Sequence, residues 1–520
     1  MNGRLLISIL FAAVLALALR LPCLDQRPMH NDEAVNAIKF RELREHGQYK
    51  YDPQEYHGPT LYYATLALGH LTGAPDFDRY SESRLRLVTV LFGLGLVLLL
   101  PLLADALGRR GTAWAALFMA ASPAMVFYSR YFIHEMLLVF FTLLALAAGW
   151  RYARSRRLGW IITAGAALGG MDATKETFVL TLAAAGIAAG LNHAWNRWLD
   201  ASSPRLKNLR LNRAHLVIGL SAWLVVAVIL YSSFFTNPSG PLDSLRTFLF
   251  MSNRAGGGSP HIHPWSFYLH RLLWFHSSHG PVFTELLLLV LAAVATWAGF
   301  ARKHLDHTNA GFVRFVAFYT FLLTTIYSLV VYKTPWCLLN FWLGAVLLAG
   351  IGAAVLLRSA RHVLTKWALT VLLLAGVGHL VWQAWELDTV YAADRRNPYN
   401  YSPTSPNLLE LVAKLQKLAE ASPQHYETLV KVMAPEGDFW PLPWYLRQFR
   451  KAGWWDQLAP DPWAPIMIVG SQFHAGFDEK QSHLMTGYYE LRRGVFFELY
   501  VEKTLWEAYL AKKGRAVSEP

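Results

Sequence analysis

Residues 29–40 read MHNDEAVNAIKF and set two carboxylates, Asp32 and Glu33, side by side. They follow directly on an apolar run, Leu5 to Leu19, which with its flanks is long enough to cross a bilayer. An acid pair at a membrane exit is a poor packing element, because both carboxylates would have to be desolvated. Two readings remain: a solvated charge pair, or a polar site at the mouth of a membrane-embedded protein. Later apolar runs return to the same side, and each brings isolated His, Arg, Lys or Glu residues there. On that pattern Asp32 is expected to act as a catalytic base, with Glu33 beside it.

Composition points the same way. Of 520 residues, 54% are hydrophobic and only 16% charged, well below the ~25% charge of a soluble domain. The formal net charge is +13. The basic residues cluster in short loops between apolar runs, which is a topology signal and not a nucleic-acid stripe, so no nucleic-acid partner is expected. The 20 Trp and 23 Tyr often sit at the ends of those runs, where an apolar body with a polar tip belongs. Two cysteines, Cys23 and Cys337, exclude a disulfide framework and a thiolate zinc site. Both are expected near the outer surface, as one bridge or as two free thiols.

Spans of ~20 apolar residues give about eleven helices. They fall near residues 4–21, 86–107, 112–128, 134–152, 158–171, 175–193, 214–234, 281–300, 312–331, 337–357 and 365–385. The first, despite an Ala16-Leu17-Ala18 triplet, is expected to stay as an uncleaved helix. The fifth is short for a crossing at ~1.5 Å per residue and should be tilted or buried. Arg109–Arg110, Arg151 to Arg157, Arg197 to Arg213, Arg302–Lys303 and Arg358 to Lys366 then share one side. That side is expected to be cytoplasmic. The fold class is thus a polytopic α-helical membrane protein, placed in the cytoplasmic (inner) membrane. Residues 1–385 form its transmembrane part, with large outer loops at 22–85 and 235–280. Residues 386–405, including NPYNYSPTSP at 397–406, read as a linker. Residues 406–520 read as an extracytoplasmic α/β domain, with an amphipathic helix to about Ala421 and β-like runs at Glu427–Met433, Ile466–Gly470 and Val495–Val501.

The outer face collects the chemistry. YHGPTLYY at 56–63 carries His57, either the start of an interfacial helix or a site residue. SPAMVFYSRYFIHEMLLVFF at 122–141 brings Arg130, His134 and Glu135 to the junction of two apolar runs. Charges so flanked face a polar cavity or pair with one another, and an Arg130–Glu135 pair is the plain alternative. MDATKET at 171–177 offers Lys175 to a phosphate, unless Asp172 and Glu176 neutralise it. RAGGGSPHIHPW at 254–265 places His261 and His263 in an extended segment. They could line an acceptor-gating loop or bind a divalent metal, which the sequence permits without requiring. Lys333, in VYKTPW, adds one more outer cation.

The order of these elements resembles the membrane glycosyltransferases of the dolichyl-phosphate-mannose–protein mannosyltransferase type, with the GT-C architecture. It is most similar to the flippase-activity-associated family linked to archaeal N-glycosylation, which has bacterial members; WPLPWYLR at 440–447 fits that closer group. The resemblance implies a polyprenyl-phosphate sugar donor and an active-site acid in the first outer loop, which maps onto Asp32. The wider group usually carries Asp where this chain has Glu135.

The expected reaction is inverting transfer of the sugar to an extracytoplasmic protein, lipid or glycan. Asp32 would be the base, and Arg130, Lys175 and Lys333 the cations for the leaving phosphate. His57, His134, His261 and His263 would line the site. A lipid-sugar flippase component or a non-catalytic scaffold is the rival reading. Charges gathered at one face, without paired repeats, favour the enzyme.

Overall fold

A computed structural model describes residues 3–54, 57–73, 76–198, 212–255, 261–479 and 481–518. Tyr56, the triple glycine Gly256–Gly258 of the expected gating loop, and most of the basic stretch 197–213 lie outside the described residues.

The chain is mostly helical. α1 (Gly3–Arg20) leads to α2 (Asn31–His46) and α3 (Thr60–Leu71), both in the loop that follows the first span. α4 (Glu82–Leu99) runs through a 3-10 turn into α5 (Ala104–Leu107), giving one 26-residue span. α6 (Arg109–Ala121) and α7 (Pro123–Ser129) meet at a 56° bend, where Ser122 caps α7 and Pro123 cannot continue the hydrogen-bond ladder of α6. α8 (Glu135–Ser155), α9 (Leu158–Asp172), α10 (Phe178–Trp198) and α11 (Arg213–Tyr231) follow. The second large outer loop carries α12 (Gly240–Ala255) and α13 (Phe267–Leu273). α14 (Leu286–Ala301), α15 (Ala310–Leu329), α16 (Leu339–Ser359) and α17 (Val363–Asp388) complete the bundle.

Among the described residues, eight helices are long and apolar enough to cross a membrane, or nine if the bent α6–α7 pair is one span. The 15 residues of α9 and 16 of α14 fall short of that length. Each of the expected runs is nevertheless a helix or a helix pair. α16 lies at the centre, with its whole span buried, and α10, α11 and α17 line the periphery. α9 and α11 pack backbone to backbone, since a Cβ on Gly165 would lie 2.0 Å from the Gly219 carbonyl oxygen.

Beyond α17 the chain forms α18 (Asn407–Ala421), α19 (Leu442–Tyr445), α20 (Lys503–Ser518) and a five-stranded sheet in the order β2-β1-β3-β5-β4. β1 (Val430–Met433) pairs in parallel with β2 (Ala452–Trp455) and β3 (Ile466–Gly470). β5 (Val495–Glu502) is antiparallel to β3 and to β4 (His483–Arg492). The three expected strands are present. β2 and β4 escaped the reading because AGWW is a four-residue strand at the sheet edge and β4 is broken by a register shift at Met485–Gly487.

Residues 386–405 are not a linker. α17 extends to Asp388, and Asn397, Tyr399, Asn400 and Thr404 are buried. Tyr399 donates its hydroxyl to Glu285 (2.6 Å), Tyr131 reaches Asn400 (3.0 Å) and Thr404 reaches the Met29 carbonyl (2.7 Å). Asn and Tyr that resemble turn residues here satisfy buried polar groups of the bundle. Cys23 and Cys337 are free thiols.

Candidate active site

The two neighbouring acids have opposite environments. α2 starts in a capping box whose N-cap is His30 and whose N3 is Glu33. Glu33 therefore folds back inward. It accepts from the His30 N–H (3.0 Å), the Phe132 N–H (2.9 Å), Arg86 Nε (2.8 Å) and Nη2 (2.9 Å), and Arg27 Nη1 (2.9 Å). Burial pushes this carboxyl upward, but the two guanidinium groups outweigh it and hold Glu33 well below the usual carboxylate range. The next side chain outward, Asp32, is 50% exposed, against 0% for Glu33.

Asp32 is presented by a chain of aromatic and imidazole contacts. His30 Nε2 faces the Tyr401 carbonyl (2.9 Å) and so carries the proton, leaving Nδ1 to accept the Asp32 N–H (3.2 Å). His30 is thus held from both sides. The Tyr401 hydroxyl lies 2.7 Å from His261 Nδ1 and 3.1 Å from His263 Nε2. The HIH segment is extended, as its spacing suggested: Ile262 bridges Tyr332, and the Lys333 N–H donates to the His261 carbonyl (2.9 Å). His263 stacks on Phe267 (4.3 Å), and the Arg271 guanidinium lies 3.6 Å from the centroid of that ring. Burial pulls both His261 and His263 below their ordinary pKa.

A second cluster lies around His57. Gly58 and Thr60 donate to the carbonyls of Thr174 and Ala173 (both 3.1 Å), locking the HGPT turn onto the ATKE turn. Only glycine allows this approach, since a Cβ on Gly58 would sit 2.1 Å from the Ala173 oxygen. His57 Nδ1 meets Glu176 (2.9 Å), and Lys175 forms a buried ion pair with Glu135. Asp172 instead takes the Trp223 indole N–H (2.9 Å). His134 donates from Nε2 to the Gly58 carbonyl (2.9 Å), and its buried Nδ1 has no hydrogen-bond partner. Burial, with His57 and Lys175 adding to it, keeps His134 well below its ordinary pKa and therefore neutral.

The structure thus brings Asp32, His261 and His263 together, and separately His57, His134, Glu135 and Lys175. All three expected phosphate ligands have other partners, Lys175 its Glu135 carboxylate as above. Arg130 pairs with Asp388 (3.3 Å), not Glu135, and donates to the carbonyls of Leu19 (3.2 Å), Arg20 (3.3 Å) and Cys23 (3.0 Å). It cannot reach a phosphate without breaking these bonds. Lys333 is 1% exposed, with its ammonium on the carbonyls of Val330 and His263. Neither partner could be read from the sequence, since Asp388 lies 258 positions beyond Arg130 and the Lys333 acceptors are main chain.

Arg271 and Tyr401 escaped the sequence reading. Arg271 forms no ion pair with a carboxylate among the described residues, and its buried Nε has no partner. The available signal was a basic residue inside the apolar stretch FYLHRLLWF, 267–275. No group of three or more His, Cys, Asp or Glu among the described residues is arranged to hold a metal.

By its spans this is an integral membrane protein, and its fold is shared with a solved structure. Over 96% of this chain and 98% of the other, it superposes on ArnT from Cupriavidus metallidurans bound to undecaprenyl phosphate, with a TM-score of 0.59 and 16% identity. The apo state of the same protein gives 0.58. Residues 60–237 match the family model described as dolichyl-phosphate-mannose-protein mannosyltransferase. In the same vein, the chain is 30% identical over 229 residues to protein O-mannosyl-transferase 1 of Mus musculus. That match covers 38% of this chain and 30% of the mouse protein, so the chain spans about a third of the length of that relative.

Proposed function

We propose that this protein transfers a sugar from a polyprenyl-phosphate donor to a hydroxyl acceptor on the outer side of the cytoplasmic membrane, with inversion at the anomeric carbon. The observation that carries this reading is the division of labour within one dipeptide: Glu33 is locked by two arginines, and Asp32 is left half-exposed beside Tyr401 and His261. A free carboxylate on a rigid helix start is what a general base requires. Asp32 takes the acceptor proton as the acceptor oxygen bonds to the anomeric carbon. The bond from that carbon to the phosphate oxygen breaks, and polyprenyl phosphate leaves with the electron pair. Arg271, a cation without a carboxylate partner among the described residues, is the group suited to the leaving phosphate, and Lys175 would join it only by leaving Glu135. His134, with an unpartnered Nδ1, can accept a sugar hydroxyl.

In this reading the basic loops face the cytoplasm, and residues 406–520 sit outside, where they help bind a glycan, lipid or protein acceptor. The test uses the purified full chain with a panel of radiolabelled polyprenyl-phosphate hexoses. Label should move to an added acceptor in wild type and stay on the lipid in Asp32→Asn. Translocation of the lipid-linked sugar across vesicles without any transfer would replace this reading by a flippase.

A further inference from the structure

A cavity of about 1820 Å3 contains none of the candidate site side chains described above. It opens between α8, α9, α10 and α15, because α10 packs on α15 while α9 packs on α8 and α11. Its inner end reaches Met171, Thr181 and Tyr319. Its other end lies at the face opposite Asp32 and is rimmed by Arg154, His193, Arg197 and Arg302. Among the described residues, two carboxylates stand at that rim. Asp105 is shared by Arg151 (3.7 Å) and Arg154 (3.6 Å), and Asp306 lies 3.9 Å from Arg358. The described cations therefore exceed the described anions there.

The walls are amphipathic along the membrane normal. Leu146, Leu168, Leu182 and Phe315 give the cleft apolar flanks. Near the basic end the buried Oδ1 of Asn192 has no hydrogen-bond partner. Midway down α8, a Cβ on Gly149 would meet nothing within 4 Å, so the space is open at that level. Apolar walls leading to a basic rim at a membrane surface match an acyl chain ending in a phosphate.

We infer that this cleft is a binding site for an anionic phospholipid of the leaflet opposite the candidate active site, with its phosphate at Arg154 and Arg197. The sugar donor is not the occupant. Lys175 and Arg197 bracket α10, and at 1.5 Å per residue the phosphate at one end is about 30 Å from the other. A lipid whose phosphate meets Lys175 or Arg271 cannot also meet the rim. The leaflet itself supplies anionic headgroups at high local concentration, and basic pockets between spans hold them. The inference requires the membrane-spanning fold and does not depend on sugar transfer.

The experiment titrates delipidated, full-length protein in detergent with dioleoyl-phosphatidylglycerol, dioleoyl-phosphatidylcholine or a C55 polyprenyl phosphate, read by native mass spectrometry and thermal unfolding. Phosphatidylglycerol should be retained at one per chain and raise Tm, with phosphatidylcholine at least about tenfold weaker. The pair Arg154→Gln and Arg197→Gln should weaken retention about tenfold or more. Gly149→Phe should abolish it while leaving the lipid-free Tm in place, since its Cβ has room. Equal retention of the two phospholipids, or unchanged retention in both variants, would overturn the site. Preferential retention of polyprenyl phosphate, lost in the arginine variant, would overturn the phospholipid assignment and give the rim to the carrier.

Discussion

Replacing each member of the acid pair by its amide, one at a time, should separate two properties that the sequence presents together. Glu33→Gln preserves shape but removes the charge facing Arg86 and Arg27, which are only 1% and 8% exposed. Breaking a buried pair from one side leaves the other charge uncompensated and costs about 3–5 kcal/mol. Here two guanidinium groups and two backbone N–H groups converge on the carboxylate, so the upper part of that range applies. Asp32→Asn changes a half-exposed group near a helix start, and the stability cost should stay within about 1 kcal/mol. Its effect on transfer should instead be about 10²–10⁴-fold, the range for loss of a general base. Thermal unfolding of the purified variants, with turnover of labelled donor measured on the same preparations, reads both quantities. Wild-type turnover by folded Asp32→Asn protein would refute the catalytic assignment. Wild-type Tm for Glu33→Gln would refute the structural one.

The same contrast has a pH signature. The folded pKa of Glu33 lies below its ordinary 4.5, so its stabilisation is complete above that value and is lost as pH falls toward the folded value. The stability gap between wild type and Glu33→Gln should therefore narrow below about pH 4.5 and be constant above it.

Three further outcomes follow from the geometry. Lys175→Met should destabilise by about 3–5 kcal/mol because Glu135 is left buried and unpaired, whereas Lys175→Met with Glu135→Leu should regain Tm without regaining donor affinity. Arg271→Ala should remove a charge-assisted phosphate contact of about 1.5–3 kcal/mol, seen as roughly 10–100-fold weaker donor binding in a filter or spectroscopic titration. Tyr401→Phe removes the hydroxyl shared by His261 and His263. Both rings have folded pKa values below 6.5, so the unfolded chain binds protons first and the clamp weakens as pH drops below 6.5. Transfer by wild type should therefore fall on that acid limb, and the Phe variant, already lacking the clamp, should show lower activity with a flatter limb.

Much of the bundle was legible because a bilayer admits few solutions. Backbone groups in hydrocarbon must pair within a helix, so apolar length alone located each run. The exposure of Asp32 was legible for a similar reason: a carboxylate beside an apolar span needs water. What the sequence hid was which charge meets which. Glu33 is N3 of a capping box, but its N-cap is His30 and not the Ser or Thr by which that motif is found. Arg130 is four residues from a conspicuous His-Glu pair and yet finds Asp388. Ion pairing inside a helical bundle is decided by neighbours brought in by tertiary packing, and sequence proximity is a weak guide to it.

The outer region makes the same point about domains. A change in composition near residue 386 reads as a boundary, because Pro, Asp and Lys become frequent and long apolar runs cease. In the folded chain, however, one hydrophobic cluster contains Phe40, Phe77 and Tyr80 of the first outer loop together with Trp444, Tyr445, Ile468 and Leu499 of the sheet region. Polar contacts cross the same line: Trp444 Nε1 donates to Glu82 (2.7 Å), the Tyr445 hydroxyl accepts the Met29 N–H (2.8 Å), and Arg447 donates to the Tyr80 carbonyl (2.6 Å). Composition reports the solvent that each stretch meets, and both sides of this interface meet water away from the membrane. It does not report which stretches share a core. The consequence for the site is direct. α2, which carries Asp32, is held at its start by Arg86 and Arg27 and along its flank by α19 of the outer region. Ligand binding to residues 406–520 would therefore act on the helix that presents Asp32 without any contact to Asp32 itself.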